Sequence, residues 1–187
     1  MAALAPLALL ASAVLHTACL LPGLAAVLGE NGAHYVAATP TTSITMPWAA
    51  VAWVLDAATG GDLGTYATMA PQVPLLLLYE AAAFHRAAEA SRVAAAADLF
   101  RMLCTLFVCS VLVVGSAAGG VPGAPRWARA LPGVTAVALS VVNKFNRIRE
   151  LRGILASAGR CEARVAGGEA CGWWLAAVLG NVYAFGV

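Results

Sequence analysis

Two residues stand out for the chemistry their type and setting would allow. Glu80 follows the run Val73-Pro74-Leu75-Leu76-Leu77-Leu78-Tyr79, and His16 lies midway along a run from Ala2 to Gly29 that carries no charge. A carboxyl group within an apolar span is costly, so it pairs, takes a proton or lines a polar cavity. For Glu80 the competing reading is an interfacial side chain paired with Arg86 or a nearby loop. For His16 three readings stand open: a hydrogen-bonded packing residue, an axial ligand to haem or chlorophyll, or a proton-relay partner for Glu80. A haem or metal site in a bundle core usually draws a second ligand from a facing helix. His85 is the other histidine on an apolar span, but it sits beside Arg86 at the end of that span. Chlorophyll needs a single axial ligand, so that version of a His16 site requires nothing further.

Other chemistries lack their motifs. The five cysteines (Cys19, Cys104, Cys109, Cys161, Cys171) form no C-x-x-C pair and have no histidine at metal-ligand spacing, so no metal site is expected. Cys161 and Cys171 flank a polar loop and are close enough in sequence for a disulfide. The basic character of that loop suggests a reducing compartment and free thiols. There is no G-x-G-x-x-G, P-loop, G-x-S-x-G or H-E-x-x-H. Nothing positively indicates an enzyme. A net charge of +2, without basic residues interleaved with aromatics, gives no nucleic-acid surface.

The elements that would hold Glu80 and His16 are apolar helices. The 187-residue chain is 61% hydrophobic and 11% charged, against roughly 25% charged for an average soluble protein. Its mean hydropathy is +0.83. The fold class that follows is all-α: a polytopic membrane helix bundle forming a single domain over residues 1–187. Apolar runs long enough to cross a ~30 Å hydrocarbon core are expected at about 3–28, 67–85, 102–121 and 130–147. The last needs Lys144 and Arg147 to snorkel to the interface. A fifth apolar stretch, 172–187, either spans or lies at the interface, anchored by Trp173 and Trp174. Residues 46–58 read as a short interfacial helix, with Pro47 at its start and Trp48 and Trp53 at headgroup level. Small residues near Leu24-Ala25-Ala26 also admit a cleaved signal over 1–26. The missing basic n-region and the length of the run favour a retained span.

The basic residues fix an expected orientation. All eleven Lys and Arg lie between Arg86 and Arg164. Three fall in 86–101, two in 120–130 and six in 144–164, while 30–66 has none. Lys/Arg excess marks the cytoplasmic or equivalent side, which places the N-terminus and the 144–164 segment there, in a membrane that stays unspecified. Lys144, Arg147, Arg149 and Arg152 then become the candidate contacts to acidic lipid headgroups or a partner. Two functions fit. One is a non-catalytic accessory or structural subunit of a larger membrane complex, packing through Ala/Gly-rich helices against lipids and other membrane subunits. The other is a small transporter or intramembrane enzyme using Glu80 and His16 in a polar cavity. The scarcity of deep ionisable residues favours the first.

Overall fold

The computed structural model describes residues 5–28, 42–89 and 94–157, together with five positions between 171 and 179. Of the described residues 91% are helical and none is in a strand. Helix α1 covers Ala5–Leu28, α2 Thr42–Gly60, α3 Leu63–Met69 and α4 Gln72–Glu89. Helix α5 covers Ala94–Ala117 and runs into a 3-10 turn at Ala118–Gly120, followed by the single turn α6 (Arg126–Arg129) and by α7 (Leu131–Ser157).

The boundaries follow from local chemistry. Helix α2 stops at Gly60-Gly61, where Gly61 takes a left-handed φ of 75° that other residues avoid. Asp62 then caps α3: Oδ1 accepts from the amides of Gly64 (3.0 Å) and Thr65 (3.1 Å), and Oδ2 accepts from the Thr65 hydroxyl (2.6 Å). The Thr65 hydroxyl and amide, with the Gly64 amide, hold the Asp62 carboxyl below its ordinary value of 3.8, against a push upward from burial. Its folded-state value is depressed, so the cap stabilises the protein above pH 3.8 and loses that effect as pH falls through the lowered value. Asp62→Ala should therefore cost about 1 kcal/mol at neutral pH. In thermal unfolding the gap from wild type should close as the solution is acidified.

Pro71 separates α3 from α4, so the single helix expected over 67–85 is two pieces. Gln72 clips them together by donating Nε2–H to the Thr68 carbonyl at 2.7 Å. The helix expected over 102–121 begins earlier, at Ala94, and the one over 130–147 continues to Ser157. The stretch 172–187 lies almost wholly outside the described residues, as does Cys161; Cys171 carries no disulfide.

Helix α2 is the centre of the bundle. It packs most extensively against α7 and also against α3, α4 and α5, while α1 lies on α4 and α3. Ile44, Ala52 and Pro47 are fully buried, as are Ala49, Ala50 and Ala57 nearly so. The side-chain pairings set directions. Thr45 and Trp53 meet Asn143 and Ser140, so α7 runs antiparallel to α2. Ile44 shares a cluster with Met102, Tyr79 and Phe84, and Ala50 pairs with Leu76, so α4 is antiparallel to α2 and α5 is parallel to it. At 1.5 Å per residue, the 19 residues of α2 extend about 28 Å.

Two expectations change with this arrangement. The segment 46–58 is not a short helix at the periphery but part of a longer helix running through the bundle. The described part of 30–66 runs from one end of the bundle to the other. Thr45 sits at the level of Asn143, beside Lys144, and Gly60 lies at the opposite end. The physical reason is that α2 faces other helices. Its threonines and Asp56, which count against a lipid-facing span, have protein neighbours here.

The distribution of side chains is inverted relative to a protein folded in water. Among the described residues, seven of the thirteen buried apolar residues other than proline and glycine are alanines, and Ser12, Thr45, Thr68, Gln72, Glu80 and Ser116 are buried with them. Large apolar side chains point outward: Leu7, Leu10 and Val14 on α1, Phe107 and Val111 on α5, Val134, Val137 and Phe145 on α7. Residues Leu99–Gly120 are long and apolar enough to cross a membrane, and only 28% of that window is buried.

Candidate functional site

Glu80 comes from the middle of α4 and points into the bundle, with 7% of its surface exposed. The Trp48 indole N–H from α2 lies next to its carboxyl. Neither Trp48 Nε1 nor Glu80 Oε2 has a hydrogen-bond partner, and both atoms are fully buried. Cys109 on α5 is buried near Glu80, and Trp48 packs on the cluster that contains it. Three helices thus meet around one carboxyl group. Trp48 is three residues along α2 from Thr45, so the site lies about 5 Å inward from the level of Asn143 and Lys144.

The interfacial pairing considered for Glu80 finds no support among the described residues, where it has no ion pair. The Arg86 side chain is outside them. The backbone of α1 carries His16 on a helix that packs against α4 and α3, and its side chain is outside the described residues. His85 lies five residues beyond Glu80 on α4, at the surface. No group of three or more His, Cys, Asp or Glu gathers among the described residues.

A second polar feature links α2 to α7. Thr45 Oγ1 donates to Asn143 Oδ1 at 3.5 Å, Trp53 Nε1 donates to Ser140 Oγ at 3.1 Å, and the Asp56 carboxylate packs on Gly133. A Cβ at Gly133 would stand 2.7 Å from Asp56 Oδ1, so a larger residue there would make the Asp56 side chain move aside. The negative charge there is favourable against the positive end of a helix dipole. These contacts position α2, and through it Trp48.

The basic candidates gather at one end of the bundle. Lys144, at the middle of α7, and Arg149 and Arg152 beyond it are exposed; the Arg147 side chain is outside the described residues. The antiparallel course of α5 and α7 brings Arg101 to the same end, whereas Arg126 and Arg129 lie at the other. Sequence reading found Glu80 but missed Trp48, taken as a headgroup anchor. The signal was available: Thr45, Ala49, Ala52 and Asp56 mark a small and polar helical face, and Trp48 adjoins it.

No protein-family model matches the chain, and no curated protein or solved structure matches it either.

Proposed function

We propose that the chain is an integral membrane helix bundle serving as a non-catalytic subunit of a larger membrane complex. The observation that carries this reading is the inverted packing: small and polar groups inside, Leu, Val and Phe outside on α1, α5 and α7. Exposed apolar patches on a monomer in water rarely exceed a few hundred Å². In lipid the same surface is ordinary, and helices associate there through small residues and hydrogen bonds such as Trp53–Ser140. In this reading α2, α4, α5 and α7 each traverse the bilayer. The end carrying Arg101, Lys144, Arg149 and Arg152 faces the cytoplasm or its equivalent.

Extraction in a mild detergent at native expression should yield a particle well above 19.0 kDa that contains other membrane chains in fixed ratio. A lone monodisperse protein would overturn the subunit reading. The second reading, a small transporter, is favoured by one observation only, the buried and unpartnered carboxyl of Glu80.

A further inference from the structure

We propose that Glu80 is a proton-binding site inside the bundle, formed at the junction of α2, α4 and α5 with Trp48 as its immediate neighbour. The proposal holds whether the chain acts as a subunit or as a transporter, because it rests on the site alone. A carboxylate there would be a single charge cut off from water, with no cation against it among the described residues. Leaving such a charge uncompensated is strongly unfavourable, and binding a proton removes it.

The geometry supplies what a proton site needs. Glu80 Oε2 and Trp48 Nε1 are both fully buried and lie near each other without a well-formed hydrogen bond between them or to any other group, so the carboxyl has the indole N–H as a loose neighbour and no firm partner. Two such atoms side by side in a packed interior call for an explanation, since the great majority of buried polar groups are paired. Among the described side chains, the titratable groups on the surrounding elements do not provide a counter-charge. Helix α5 carries Cys104 and Cys109 and, toward the basic end, Asp98 and Arg101; α4 itself carries Tyr79, His85, Arg86 and Glu89, with the Arg86, Glu89 and Asp98 side chains outside the described residues. Helix α2 carries Asp56 near its far end, α3 carries Tyr66, and α1 carries His16. Among the described side chains, Cys109 and Trp48 lie near Glu80 at depth. The Lys144 level is about 5 Å away, a single helical turn, which is a short path for a proton to reach the basic end.

The test uses the full chain in its native membranes. A hydrophobic carbodiimide adds covalently to protonated carboxyl groups in apolar surroundings and spares ionised ones in water. Peptide mass analysis should find Glu80 modified at neutral pH, ahead of Asp62 and Glu89, with modification falling as pH is raised. Absence of modification at Glu80 across the range would overturn the proposal, as would modification that does not depend on pH. Tryptophan fluorescence gives an independent reading. The wild type should show a pH-dependent change that Trp48→Phe removes and Glu80→Gln also removes. Glu80→Gln is close in shape to the neutral acid and should keep the thermal stability of the wild type. A titration that persists unchanged in Glu80→Gln would equally sink the idea.

Discussion

Arginine in place of Val111 should block stable assembly of this protein in a membrane, although Val111 is exposed and touches little of the chain. Val111 lies near the middle of the Leu99–Gly120 window, on the face that points away from α2. In water, an exposed Val→Arg change away from any special feature falls within about ±0.5 kcal/mol. At the centre of a bilayer the same change costs about 3 kcal/mol by insertion scales. The expected result is a protein that fails to integrate, or is degraded, with Phe107→Arg behaving alike because Phe107 is 70% exposed one turn earlier. Arginine at Lys144 should be silent, since that position already carries a charge. Membrane fractions after alkaline extraction make the comparison directly. Equal recovery of Val111→Arg and wild type would contradict the membrane assignment of α5.

The second large effect concerns the turn that joins α5 to α7. Gly119 and Gly115 both belong to the small-xxx-small pattern of this segment, and the structure uses them differently. A Cβ at Gly119 would run into the backbone carbonyl of Ala128 and sit 3.2 Å from Pro132 Cδ. The obstacle is backbone, so the turn itself must open, and overpacking of this kind costs about 1–3 kcal/mol. Gly115 has open space at the same atom, and alanine is the better helix former by up to about 1 kcal/mol. Gly119→Ala should lower the thermal midpoint in detergent by several degrees, whereas Gly115→Ala should leave it level or raise it. The opposite signs separate close packing from a general preference for glycine.

Much of the helical content was legible because long uncharged runs admit few alternatives. The α5 and α7 segments were found on that basis, with ends that shifted where charged residues continue a helix beyond the apolar stretch. Helix α2 was misread because its polar residues were scored as if lipid surrounded them. Thr45 meets Asn143 and Asp56 meets Gly133, and neither contact can be seen from the local sequence. Pro71 falls inside the span expected over 67–85, and the structure breaks the helix there. At the site, Glu80 announced itself by being a carboxylate in a run of leucines. Trp48 did not, since tryptophans near an apolar stretch belong equally well at headgroups. What made it part of the site was the antiparallel pairing of α2 with α4, a long-range fact.

The central claim is that the outer face of α5 meets lipid. It is tested most directly by a spin label at position 111 in the reconstituted full-length protein. Collision with dissolved oxygen and with a water-soluble nickel complex is measured at the same label. A lipid-facing site gives frequent oxygen collisions and almost none with nickel, and this is the expected result. Ready access by the nickel complex would place Val111 in water and contradict the account.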